Sequence, residues 1–172
     1  MKLVGKRVAY LLEEGFEDLE FYVPLMRLQE EGAQVTVVST KITTFRGKAC
    51  LEAKPDVLAQ DVGPDDFDAI VVPGGWAPDK LRRYPAVTGL VRGLYDQGKI
   101  VAAICHAGLV LISAGVVRGH KATGSEGIKD DLLNAGASWV DQPAFRDGNL
   151  VWGRVVKVIP DFCRELVQAL SE

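Results

Sequence analysis

The chain has 172 residues, 48% of them hydrophobic and 25% charged, with a formal net charge of −3. That length suits a single domain spanning 1–172, able to bury roughly two-thirds of its unfolded surface. The mildly acidic balance argues against a nucleic-acid or anionic-membrane partner, and no run approaches the roughly 20 apolar residues of a membrane span.

In chain order, Val8 to Leu12 predicts a buried strand. Basic and apolar residues at the N-terminus are followed by Glu13-Glu14 instead of a small-residue cleavage site, which reads as a first strand and not a signal peptide. Glu13 to Phe16 is a turn. Glu17 to Glu31 is a helix with Leu19, Val23, Met26 and Leu28 as its apolar face; Gly32 ends it, and Pro24 either kinks it or marks a later start. Val35 to Ser39 completes a βαβ unit, and Thr43 to Asp56 is a hairpin or extended arm. Ala69 to Val72 is a strand running into Pro73-Gly74-Gly75. Val87 to Gln97 is a helix stopped by Gly98, and Ile100 to Ile104 is the next strand. After Gly115 come short strands and a helix at Ile128 to Asn134. A hairpin turns at Asp147-Gly148, and an amphipathic helix runs from Asp161 to Leu170. Strands alternating with helices predict an α/β fold around a largely parallel sheet.

The chemistry concentrates where the run Ile100 to Ile104 stops at Cys105-His106 and small residues lead into Leu109-Val110-Leu111-Ile112. A strand breaking sharply into a helix is how α/β enzymes lift a nucleophile out of the sheet. A helix N-terminus favours the thiolate, so a lowered thiol pKa is expected; the competing reading is a buried structural cysteine. His106 either serves as the base or caps a surface, and its backbone N–H suits an oxyanion hole. Ligands in such folds bind at the carboxyl ends of the strands, where Glu13-Glu14-Gly15-Phe16-Glu17, Pro73-Gly74-Gly75 and Cys105-His106 all fall. Glu17 is either a solvated first-turn glutamate or, if buried, a neutral acid donating to the thiolate. Gly74 and Gly75 form a plain turn or aim a backbone N–H at an oxyanion. Asp79 caps a helix near Lys80 or orients His106. His120 is expected at the surface, and Cys163 in the core.

Three widely spaced cysteines and two histidines offer no disulfide framework and no zinc spacing. A reducing, cytoplasmic setting with no metal and no cofactor is expected.

Four motifs stand in one order: Phe16-Glu17-Asp18, Val72-Pro73-Gly74-Gly75, Ala103-Ile104-Cys105-His106-Ala107-Gly108, and Gly127-Ile128-Lys129-Asp130-Asp131 before Asn134-Ala135-Gly136-Ala137. Over nearly the whole chain this resembles PfpI-type proteins of the class I glutamine amidotransferase-like superfamily. The resemblance implies a flavodoxin-like three-layer sandwich and a homodimer or higher oligomer. It also implies a cysteine-dependent activity of peptidase, glyoxalase or deglycase type. Carried onto this chain, it makes Cys105 the nucleophile, His106 its neighbour and Glu17 the glutamate bonded to the thiol. It makes Gly75 and His106 the oxyanion donors, and Asp79 an acid offered to a neighbouring subunit.

The chain also departs from that pattern. Asp79 stands where Glu is frequent, and Trp76 where Arg is. Thr123-Gly124-Ser125-Glu126 lacks the usual aromatic, and Arg154-Val155-Val156-Lys157-Val158 lacks Arg-x-Pro-x-Asp. These weigh against peptidase activity. The expected substrate is a small electrophilic carbonyl compound or a peptide. The alternative is a redox-responsive stress protein whose Cys105 is oxidised to sulfenate and sulfinate.

Overall fold

The computed structural model describes residues 1–172. The first βαβ unit is β1 (Arg7–Leu11), α1 (Asp18–Glu30) and β2 (Gln34–Ser39). A short arm follows, with β3 (Phe45–Arg46) antiparallel to β4 (Glu52–Ala53), then β5 (Val57–Leu58). Next come β6 (Ala69–Val72), α2 (Ala77–Leu81), α3 (Pro85–Asp96), β7 (Ile100–Ile104) and α4 (Gly108–Ser113). The last part holds β8 (Lys121–Ala122), α5 (Lys129–Asn134), β9 (Ser138–Trp139), β10 (Ala144–Asp147), β11 (Leu150–Gly153) and α6 (Ile159–Ser171).

Seven strands form one sheet in the order β10-β11-β7-β6-β1-β2-β5. Only β10 runs antiparallel, through the Asp147–Leu150 turn; the rest are parallel. Every residue of β6 and β7 is buried, as expected of strands covered on both faces. Helices α1 and α6 pack together on one side, and α3 and α4 on the other, giving a flavodoxin-like three-layer sandwich.

The α1 face differs from the sequence expectation. Leu19, Val23 and Met26 are 52%, 40% and 58% exposed, while Phe21, Pro24, Leu25 and Leu28 are buried with Asp18 and Glu20. The helix is thus rotated so that two acids share the buried side. Pro24 neither ends nor delays it. A proline has no N–H for the carbonyl four residues back, here that of Glu20, and the Tyr10 hydroxyl of β1 donates to that carbonyl instead, at 2.7 Å. The helix stop falls as expected: Gly32 adopts φ +91°, and the Gly32 and Ala33 N–H groups close onto Gln29 and Leu28 carbonyls.

Candidate active site: a strained cysteine between two loops

Cys105 follows the last residue of β7 and has φ +63°, a left-handed conformation that costs a side-chain-bearing residue energy. The surroundings fix it there. Its carbonyl accepts from the Ser125 N–H at 3.1 Å, and the chain turns through Cys105–Ala107 directly into α4. Glycines make the room. A Cβ on Gly124 would sit 2.6 Å from the Cys105 carbonyl oxygen, and one on Gly74 would sit 2.7 Å from Cys105 Cβ and also strike the Glu20 carboxyl.

Three groups converge on the thiol. The backbone N–H groups of Gly75 and His106 act on Sγ to lower its pKa, and the Glu20 carboxyl of α1 acts on it in the opposite direction. Gly75, at φ +82°, is pressed against the first loop, where it bridges to Phe16. Glu20 is fully buried, and its Oε2 accepts the Gly74 N–H at 2.9 Å. Its Oε1 is buried with no hydrogen-bond partner, and the nearby Cys105 thiol lowers the pKa of the carboxyl.

This corrects the assignment of Glu17 to the thiol. Glu17 is the N-cap of α1, and its Oε2 accepts the Glu20 N–H at 2.8 Å. A side chain committed to the cap faces the helix end; one turn further on, Glu20 points inward. The signal for Glu20 was present in the sequence: Glu20, Phe21, Pro24, Leu25 and Leu28 fall on one stripe of helical period.

The electrostatics also differ from the expectation of a lowered thiol pKa. Burial, then the repulsion of nearby Glu17, raises the Glu20 carboxyl to about 7. Burial, then the charge of Glu20, pushes the Cys105 thiol up to about 12. Two acids in contact release their protons as a pair. The first leaves Glu20 near pH 7, and the thiol keeps its proton beside the resulting carboxylate. The form with the proton on Glu20 and the charge on Sγ is the nucleophile. The backbone N–H groups of Gly75 and His106 favour that form against burial and the charge of Glu20, and it is the minor, reactive one.

His106 Nδ1 lies 3.3 Å from Sγ. Burial, reinforced by the charge of Lys48, lowers the imidazole pKa, so the ring stands neutral at pH 7 as a proton relay. Asp79 is not brought to His106 in this chain: it pairs with Arg83 one turn along. It is also no cap, because α2 starts two residues earlier, at Ala77. Trp76 follows Gly75 and is 64% exposed at the rim. Cys105 lines none of the surface cavities. Cys163 is buried in α6, as expected.

His120 is not the surface residue expected. Its ring is held between the Tyr95 hydroxyl (Nε2, 2.7 Å) and the Asp147 carboxylate (Nδ1, 2.9 Å), tying α3 to the β10–β11 turn. These partners lie 25 and 27 residues away in sequence, so no local motif announced them.

The fold and the elbow define a class: an α/β sandwich presenting a cysteine at the carboxyl end of a central strand. A family model described as the DJ-1/PfpI family matches residues 6–169, and the chain belongs to that family. It is 43% identical to the deglycase PH1704 of Pyrococcus horikoshii over 96% of this chain and 99% of that protein. Among solved structures it resembles a two-domain protein of Anabaena variabilis with DJ-1/ThiJ/PfpI-like and ferritin-like domains. The TM-score is 0.94 at 38% identity, over 96% of this chain and 48% of that one. It also resembles DJ-1beta of Drosophila melanogaster, with a TM-score of 0.90 at 29% identity over 96% and 90% of the two chains.

Proposed function

We propose that the protein is a cysteine-dependent enzyme acting on small reactive carbonyl compounds or their adducts, of deglycase or glyoxalase type. The observation that carries this reading is the thiol of Cys105, held at a left-handed turn among the Glu20 carboxyl and the N–H groups of Gly75 and His106. The name of the Pyrococcus horikoshii relative supports the deglycase side.

In the first step a carbon–sulfur bond forms between Sγ and the carbonyl carbon. The carbonyl π pair moves to oxygen, which takes the proton that Glu20 holds, directly or through His106. The Gly75 and His106 N–H groups, freed from the thiolate, can then face the developing oxyanion. A 2-oxoaldehyde processed this way yields a 2-hydroxy acid with one water consumed: the aldehyde carbon is oxidised as its neighbour is reduced, with no external oxidant. Cys105→Ala should abolish turnover of methylglyoxal and of its thiol adducts; undiminished turnover in that variant overturns the reading.

A second reading is favoured by the same carboxyl. Peroxide oxidises the thiolate to sulfenate and then sulfinate, being itself reduced to water, and protonated Glu20 can donate to a sulfinate oxygen. Selective gain of two oxygens on Cys105, without turnover of any carbonyl compound, would select it. On either reading we place a second copy of the chain against the exposed apolar side of α1, formed by Leu19, Val23 and Met26. Such a copy could offer Asp79 to its neighbour's His106. Light scattering of the wild type and of Val23→Glu tests that assembly. No helix is long and apolar enough to cross a membrane.

A further inference from the structure

The arm between β3 and β4 carries a cation to the rim of the thiol site, and a buried acid fixes its position. Asp18 is 2% exposed, yet no cation pairs with it. Its carboxylate is spent on the arm's backbone, with Oδ2 accepting the Ala49 N–H at 2.7 Å and Oδ1 the Leu51 N–H at 2.8 Å. A Cβ on Gly47 would lie 2.6 Å from that carboxylate, so glycine is what lets the arm close on it. The turn is completed by Cys50 at φ +72°, whose N–H bonds the Gly47 carbonyl, and by the Lys48 N–H, which bonds the Phe16 carbonyl at 2.9 Å.

Lys48 therefore starts from a rigid backbone beside the loop that Gly75 presses against. Its Nζ lies 5.4 Å from the Trp76 ring centroid, and no carboxylate forms an ion pair with it. An ammonium on a tryptophan face keeps its charge available while losing freedom. Its field also reaches the two side chains flanking Cys105, acting on both His106 and Glu20.

We propose that Lys48, seated on Trp76 by the Asp18-clamped arm, receives a carboxylate of the substrate. The carbonyl compounds taken at Cys105 would then be 2-oxoaldehydes that also carry a carboxylate a few bonds from the dicarbonyl. This rests on the carbonyl reading given above for its substrate class. Lys48 is the specificity residue, and Asp18 is a positioning residue acting through it.

Paired alkylation of Cys105 in the full chain, followed by peptide mass, tests the cation without requiring turnover. Iodoacetate carries a carboxylate; iodoacetamide is its neutral near-isostere. Any change in thiol ionisation affects both reagents alike, so the ratio of their rates reports the local cation. Lys48→Met should lower the iodoacetate-to-iodoacetamide ratio about fivefold, and high salt should erase the difference between wild type and variant. Lys48→Arg should keep the wild-type ratio. Asp18→Asn, with Lys48 intact, should lower it. An unchanged ratio in Lys48→Met overturns the proposal.

Turnover separates the two claims. For 4,5-dioxopentanoate, a 2-oxoaldehyde that carries a carboxylate, against neutral methylglyoxal, Lys48→Met should lower the acid-to-neutral ratio of kcat/KM about fivefold; an unchanged ratio overturns the substrate assignment. Turnover of neither by the wild type strikes the carbonyl reading, and the alkylation ratio still decides whether Lys48 attracts carboxylates.

Discussion

Glu20 and Cys105, from α1 and the end of β7, come together as two buried acids of which Glu20 ionises first, near pH 7. A cysteine beside a carboxylate would ordinarily be a poor nucleophile, because repulsion and burial both hold its proton. Transfer of that proton to Glu20 makes the thiolate a minor form, which the backbone N–H groups of Gly75 and His106 favour.

The pH dependence of alkylation should report the pair. In the wild type the rate at Cys105 should rise with a midpoint near the value of about 7 at which burial sets Glu20. Glu20→Gln removes the partner that takes the thiol's proton, and burial of the sulfur remains. The midpoint should then move above the ordinary thiol value of about 8.5. A profile unchanged in Glu20→Gln would remove Glu20 from the mechanism.

Glu17 should act in the opposite direction. Its charge helps to raise Glu20, so Glu17→Gln should lower the alkylation midpoint and leave the reactive thiol in place. Loss of the N-cap bond in Glu17→Ala should cost about 1 kcal/mol of stability, measured by urea unfolding. An upward midpoint shift in Glu17→Gln would restore it as the thiol's partner.

Stability should fall as pH rises from about 4.5 to about 7. The folded-state pKa of Glu20 is raised, so its contribution is fully present below its ordinary value of 4.5 and is lost as pH rises through about 7. A shift of that size is worth about 3 kcal/mol as an order of magnitude. Urea midpoints at pH 4.5 and 7.5 should therefore differ less in Glu20→Gln than in the wild type; an equal difference would place the pH dependence elsewhere.

Gly75→Ala should damage both fold and site. Position 75 has φ +82°, and a Cβ there would lie 2.8 Å from the Phe16 carbonyl carbon. The cost should exceed about 1 kcal/mol in urea unfolding, and turnover at Cys105 should fall by about 10²-fold through displacement of the N–H donor. Wild-type stability in this variant would mean that the two loops are not in contact.

The central strands were legible because burial on both faces leaves an unbroken apolar signature. Ala69–Val72 and Ile100–Ile104 have the predicted limits. The elbow was legible for a related reason, as an apolar run ended at a nucleophile. Helix α1 was harder to read. Its acidic residues and its apolar ones occur on both sides, so counting apolar positions chose Leu19, Val23 and Met26, which lie outward. Its rotation is set by contacts far along the chain, among them the Tyr10 hydroxyl on the Glu20 carbonyl and the arm's backbone on Asp18. The choice between Glu17 and Glu20 depended on that rotation. The cap reading of Asp79 fails because α2 begins at Ala77 with proline at its next position, a start that owes nothing to a side-chain cap.

The left-handed turn at position 105 has a consequence for how such a chain can change. Glycine at 105 would relieve a backbone penalty of about 1 kcal/mol or more. A Cys105→Gly chain should thus outlast the wild type on heating while losing its thiol. Thermal robustness and reactivity pull in opposite directions at this one residue. Selecting variants for heat tolerance alone would be expected to discard the cysteine.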